Sequence, residues 1–178
     1  MDFPSETITK IEAAQRQLRQ AILLFFERGD IVAVHTLTCA ALQVFSDIGK
    51  TKGLDSIIKN PPYVREDKKK EWFAQIHRAQ NFFKHADKDP EETLEFHAAA
   101  TPFFICGAIE LQQQLFEGVD SATITFISWF RLAYPDLLIE GPEKDAYLKI
   151  HNKHGIDPDN FSCFLELYEL SEVQRKAT

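Results

Sequence analysis

The stretch Ile22-Leu23-Leu24-Phe25-Phe26-Glu27-Arg28-Gly29-Asp30-Ile31-Val32-Ala33-Val34 decides the fold. Upstream, Ile8, Ile11, Ala14, Leu18, Ile22 and Phe25 recur at helical spacing, which predicts a helix from about Ser5 to Arg28. Gly29 is placed to supply a left-handed stop, and Asp30 can cap a second helix at once. So short a link forces the two helices into an antiparallel hairpin. Downstream, Ile31, Val34, Thr38, Leu42, Phe45 and Ile48 form the stripe of helix two, expected to end near Gly49.

Lys50 to Arg65 contains Gly53 and Asn60-Pro61-Pro62 and reads as a long connection with one helical turn over Asp55–Lys59. A third helix is expected over Glu66–Ala86, with Trp72, Ile76, Ala79 and Phe83 on its core face. Asp89-Pro90-Glu91-Glu92 combines a cap, an N1 proline and early carboxylates, predicting a short helix to about His97. Thr101-Pro102 opens a fourth helix with Phe104, Ala108, Leu111 and Leu115 inward and Gly118 as its stop. Ser121–Tyr134 reads as a fifth helix closed by Pro135, although Thr123-Ile124-Thr125 also fits a strand. Glu143–Lys153 and Phe161–Leu170 read as two terminal helices. The expected fold is all-α: an antiparallel bundle of four main helices, 5–28, 30–49, 66–86 and 102–117. Residues 1–118 make the bundle, and 119–178 a C-terminal helical appendage packed on the same domain.

The 178 residues are 44% hydrophobic and 26% charged, values of a globular rather than a disordered chain. Fifteen phenylalanines against one methionine imply a core built largely from aromatic packing. No uninterrupted apolar run reaches the length of a membrane span, and the N-terminus lacks the pattern of a secretory signal. Cys39, Cys106 and Cys163 are odd in number and widely spaced in apolar helical patterns, as reduced, buried thiols would be. The expectation is a soluble cytoplasmic protein without a membrane partner. The net charge of −7 opposes general binding of DNA or other polyanions, yet Lys50–Lys88 carries ten Lys/Arg against five Asp/Glu. That segment therefore offers a local positive field on an otherwise repelling molecule.

Within the basic segment, Arg78, Asn81 and His85 fall within about 60° of one another on helix three, opposite the core stripe. The hydrophobic pattern asks for none of them. Lys84, with Lys68, Lys69 and Lys70 at the helix start, is expected to add positive field for a phosphate-bearing ligand. The bland alternative is a solvated helix face, with His85 near a C-terminus where a cation is favoured. His77 lies at the margin of this face. His35 sits on the apolar side of helix two, where a neighbouring carbonyl or hydroxyl would satisfy it, or where it could reach toward the helix-three site.

An arginine and a histidine separated by six residues near the end of a bundle helix resemble the R-x4–6-H signature of the HEPN superfamily, the higher eukaryotes and prokaryotes nucleotide-binding domains. The resemblance covers about residues 5–118. Asn81 resembles the family's asparagine, which often follows the arginine directly. Gln80 stands where the closer spacing would put arginine, so only Arg78 preserves the pair, and the departure raises a degenerate, non-cleaving member as an alternative. The resemblance implies a homodimeric bundle whose Arg78 and His85 meet their counterparts across the interface, and an RNA or nucleotide ligand. Catalytic members cleave RNA without metal, with the 2′-hydroxyl as internal nucleophile. In such a reaction an imidazole can move the 2′-OH proton or protonate the leaving oxygen. A guanidinium matches the phosphorane oxygens in bidentate fashion. Asn81 would orient either partner.

Two other readings compete. A non-enzymatic helical module would dock another protein through its acidic surface and the aromatic Phe126, Trp129 and Phe130. A divalent-metal protein would use His85, Asp87, Asp89, Glu95 and His97, but no HExxH or Glu-x-x-His spacing occurs, and Asp89 is better explained as a cap. No cofactor or resident metal is expected.

Overall fold

The computed structural model describes residues 4–62, 64–87 and 89–176, and every regular element among them is helical. The seven α-helices are α1 (Lys10–Phe26), α2 (Ile31–Thr51), α3 (Lys69–Phe82), α4 (Thr101–Leu115), α5 (Ser121–Ala133), α6 (Pro142–His154) and α7 (Phe161–Lys176). Short 3-10 turns precede α3 and α4 and follow α5. The ambiguous β-branched run of α5 is thus helix, begun by the Asp120 carboxylate accepting from Thr123 N at 2.8 Å.

The chain forms two compact units, one of Met1–Ala21 with Ile31–Glu117, the other of Ile22–Asp30 with Gly118–Thr178. In the first, α2 and α4 make the most extensive helix pairing. Val34, Ala41, Leu42 and Phe45 of α2 and Ile105, Ala108, Ile109 and Leu111 of α4 are all fully or almost fully buried. Each buried Val, Leu, Ile or Phe side chain among them contributes about 1.5–3 kcal/mol. In the second unit, α5 packs on α7 and α6. Its core is the aromatic cluster of Phe26, Phe126, Trp129 and Phe164, with the Phe26 and Phe164 rings stacked at 5.5 Å. Phe126, Trp129 and Phe130 therefore serve as packing, and Trp129 Nε1 donates to Pro158 O at 2.9 Å.

Several boundaries depart from expectation, most for an identifiable physical reason. The first helix starts at Lys10 rather than Ser5, because Thr9 and Glu12 form a reciprocal capping box. The left-handed stop after it is Arg28 (φ 54°), not Gly29, and Gly29 N donates to Leu24 O at 2.8 Å. Arg28 is held there by its guanidinium over the Phe161 ring and by a 3.0 Å bond to Asp159 O. Helix two runs past Gly49 to Thr51 and turns at Gly53 (φ 73°), with Leu54 N bonded to Gly49 O at 2.9 Å. Helix seven extends beyond Leu170 to Lys176.

The region after α2 departs most. Residues 66–68 are a 3-10 turn, and α3 ends at Phe82 rather than Ala86. Its expected core stripe, Trp72, Ile76, Ala79 and Phe83, is only half-buried, and Gln80 is the one buried residue of the helix. The expected helix from Asp89 to His97 is absent beyond one turn in which Glu92 N bonds Asp89 O. Phe96 instead inserts beside His35 (5.1 Å) and Phe83 (5.2 Å), and this packing overrides the local helix signal. Cys106 and Cys163 are half-buried rather than buried. Although no uninterrupted apolar run is long enough, α2 has 21 residues and a mean hydropathy of 1.5, enough by length and composition to cross a membrane. It also carries buried His35, Thr38 and Ser46 and is the core partner of α4.

Gly107, inside α4, is where the α2–α3 connection presses on the bundle: a Cβ there would collide with Ile58 Cγ1. Ile58 is itself anchored, its carbonyl accepting from Trp72 Nε1 at 2.8 Å. Gly107→Ala is expected to lower unfolding free energy by about 1–3 kcal/mol, although alanine favours a helix by ~1 kcal/mol. In an Ile58→Ala background the same change should become neutral or stabilising. Denaturant titration of the four proteins measures this, and a stabilising Gly107→Ala in the wild-type background would contradict the packing.

Candidate functional site

Arg78, Asn81 and His85 do share one surface. Together with Phe82, Asp87, Asp89 and Glu92 they line an open groove of about 860 Å³. Asn81 O accepts from Lys84 N (3.1 Å) and His85 N (3.0 Å), so a last irregular turn brings His85 alongside Asn81 after α3 has formally ended. All three side chains are exposed. Among the described residues no side-chain hydrogen bond or ion pair engages the guanidinium, the carboxamide or the imidazole, so their donors point to solvent or to a ligand. The electrostatics are mixed. Among the described residues Arg78 is the one permanent cation lining the groove, beside the carboxylates of Asp87, Asp89 and Glu92. Arg78 also lines a second, more apolar cavity of about 510 Å³ with Trp72, Ile76, Phe96 and Phe104.

The opposite face of α3 explains why Gln80 is not a candidate. His77 Nδ1 donates to Gln80 Oε1 at 2.9 Å, which sets Nδ1 as a protonated nitrogen of the ring. Its Nε2 is buried without a partner among the described residues. Burial lowers the pKa of His77, Lys59 and Lys84 lower it further, and the Gln80 bond opposes them. An arginine at position 80 would thus point inward, away from the groove. Lys84 is exposed, but lies close enough for its charge to act on His77, Cys39 and Lys59.

The helix-start lysines are drawn elsewhere. Lys68 pairs with Glu71 at 2.8 Å and Lys69 with Glu66 at 2.5 Å, and Arg65 pairs with Asp67 at 2.9 Å. Lys69 and Lys70 line a third cavity, of about 430 Å³, with Lys50 and Lys59. None of Lys68, Lys69, Lys70 or Lys84 lines the Arg78 groove. Among the described residues no three His, Cys, Asp or Glu side chains converge to hold a metal, so His85, Asp87, Asp89, Glu95 and His97 do not form a ligand set.

His35 is 2% exposed, with Nδ1 3.1 Å from Thr101 Oγ1 and Nε2 3.4 Å from Cys39 Sγ. Burial lowers its pKa from 6.5 to about 4 and raises that of Cys39 from 9.0 to about 12, with nearby Lys84 and Lys59 only partly opposing the rise. Both shifts favour neutral groups. The thiol therefore donates to Nε2, and Nδ1–H donates to Thr101, a satisfied buried chain rather than a thiolate–imidazolium nucleophile. Phe83, Phe96 and Phe104 surround the ring at 5.0–6.1 Å. Hydrophobic periodicity passes over Cys39 and Lys59. The i, i+4 spacing of His35 and Cys39 is the sequence signal for the first, and the lone lysine in Ile57-Ile58-Lys59-Asn60-Pro61 for the second.

His35 makes the stability pH-dependent with a definite sign. Its folded pKa is depressed, so the unfolded chain takes up the proton that the folded one refuses. The stabilisation is complete above about pH 6.5 and is lost as pH falls toward 4, at up to about 1.4 kcal/mol per pH unit. Chemical denaturation of wild type and His35→Gln across this window should show a steeper loss in wild type. Parallel profiles would contradict the neutral buried imidazole.

No protein-family model, curated protein or solved structure matches the chain, so the likeness of Arg78 and His85 to the HEPN signature rests on those residues alone.

Proposed function

We propose that this chain is a HEPN-like, RNA-directed helical protein of the binding rather than the cleaving kind, acting as a homodimer. The observation that carries the reading is the convergence of Arg78, Asn81 and His85 on one open groove, their side chains without hydrogen-bond or ion-pair partners among the described residues. Arg78 suits a phosphodiester, Asn81 and His85 suit base edges or the 2′-hydroxyl, and half-buried Phe82 offers an aromatic edge for a splayed base. Three features favour binding over cleavage. Asp87, Asp89 and Glu92 would raise the energy of the extra negative charge on a phosphorane. Gln80 is turned inward. One histidine per groove supplies either acid or base, so cleavage would need the second subunit.

A second reading has its own support in the same three carboxylates, which would complement a basic segment of a protein partner. Fluorescence polarisation with mixed-sequence single-stranded RNA, in EDTA and at two salt concentrations, separates the two. Salt-sensitive RNA binding is expected, weakened roughly tenfold (about 1.4 kcal/mol) by Arg78→Ala, with intact RNA recovered afterwards. Absence of salt-sensitive binding would remove the RNA reading in favour of the protein-docking one. Cyclic-phosphate products lost in both Arg78→Ala and His85→Ala would instead make the chain a nuclease. Sedimentation at micromolar concentration is expected to give a dimer, and a monomer would exclude a composite site.

A further inference from the structure

The connection between α2 and α3 builds a cavity of a different kind from the Arg78 groove, with which it shares none of the described lining residues. Lys50 from the end of α2, Lys59 from the connection, and Lys69 and Lys70 from the start of α3 converge on about 430 Å³. On a chain of net charge −7, four lysines around one concavity need a compensating charge. The protein supplies little of it. Asp55 is the one carboxylate in the lining among the described residues, and its Oδ2 already accepts from Asn60 Nδ2 at 3.0 Å. Lys69 has Glu66, but Lys50 and Lys70 have no side-chain partner among the described residues.

Lys59 is held in place by the local fold. Ser56 Oγ accepts from Lys59 N at 3.2 Å, and Asn60 N donates to Ser56 O at 2.8 Å, closing a single helical turn. The side chain then lies back on α2, where Nζ donates to Gln43 Oε1 at 2.5 Å. Gln43 Nε2 in turn donates to Asp47 Oδ1 at 2.8 Å. Two of the three ammonium protons remain for a ligand. Burial drives its pKa from 10.5 down to about 8, with Lys50 and Lys84 adding to the fall and Asp47 and Cys39 opposing it. A half-buried ammonium among like charges is stabilised by a bound anion. At the rim, the Phe73 ring is 50% exposed and lies 4.1 Å from the His77 ring, a firm apolar wall beside the cations.

We propose that this cavity binds a small phosphate monoester, its phosphate seated among Lys50, Lys59 and Lys70 and its organic part against Phe73. The preference for a phosphate dianion over a monoanionic carboxylate follows from the three separate cations and the multiple acceptor oxygens they can engage.

The test reads Lys59 directly. At pH 8 an amine of pKa about 8 is half deprotonated, whereas an ordinary lysine is almost wholly charged. Brief acetic-anhydride labelling of the whole protein, read by mass spectrometry, is expected to modify Lys59 ahead of Lys68. Inorganic phosphate, ribose 5-phosphate and AMP, each against sodium chloride at matched ionic strength, should protect Lys59 and raise the melting temperature. AMP protecting better than ribose 5-phosphate would assign the base to Phe73, and equal protection would assign a phosphorylated non-aromatic ligand. Lys50→Ala with Lys70→Ala, both exposed, should keep the fold by circular dichroism and weaken monoester binding at least tenfold. Protection no greater than that of the salt control, or undiminished binding by the folded double variant, would overturn the site. Loss of RNA binding in Arg78→Ala and loss of monoester binding in the lysine variant are separate readouts, so either reading can fail alone.

Discussion

The buried chain from Cys39 through His35 to Thr101 ties α2 to the start of α4, and the first unit's remaining geometry hangs from it. A buried imidazole without partners would cost several kcal/mol in lost hydration, so its two bonds determine whether the pairing is tolerated. With both nitrogens engaged, the ring acts as a neutral aromatic plate. Phe83, Phe96 and Phe104 pack on it. Phe83 arrives from the end of α3 and Phe96 from the segment before α4, so this one ring fixes where α3 stops and how the chain returns to the bundle.

The consequences for α3 follow from that anchoring. The helix touches the bundle through half-buried apolar residues and through Gln80, and it leaves its remaining surface available. Arg78, Asn81 and His85 look outward over a groove that the return segment walls with carboxylates. His77, half-buried against the Phe73 ring, lies near the charges of Lys59 and Lys84. The positive charge of the 50–88 segment is therefore divided: Arg78 lines the groove, Lys50, Lys59, Lys69 and Lys70 gather around a separate concavity, and Lys68 pairs with Glu71.

The all-helical class and the seven α-helices were legible because apolar periodicity is strong in α1, α2, α4 and α5, where burial is deepest, although a further helix over Asp89–His97 was expected and did not form. The shared face of Arg78, Asn81 and His85 was also legible, since it depends only on helical spacing. What escaped was tertiary. The stripe of Trp72, Ile76 and Ala79 predicts burial, but nothing local says that α3 lies at the margin of its unit and buries a glutamine instead. The strong cap at Asp89 could not reveal that Phe96 would be drawn to His35. Arg28 in a left-handed conformation depends on Phe161 and Asp159, more than a hundred residues away in sequence. The division of the lysines likewise needed the path of the connection, which spacing does not encode.

The central claim is that the open face of α3 is where RNA is held. Photo-crosslinking with 4-thiouridine-substituted RNA, followed by mass spectrometric localisation of the adducts, tests it most directly. The account predicts adducts concentrated between Ala74 and Glu92, with Phe82 and His85 among the modified positions. Adducts confined to the second unit, or scattered without preference over exposed lysines, would contradict it.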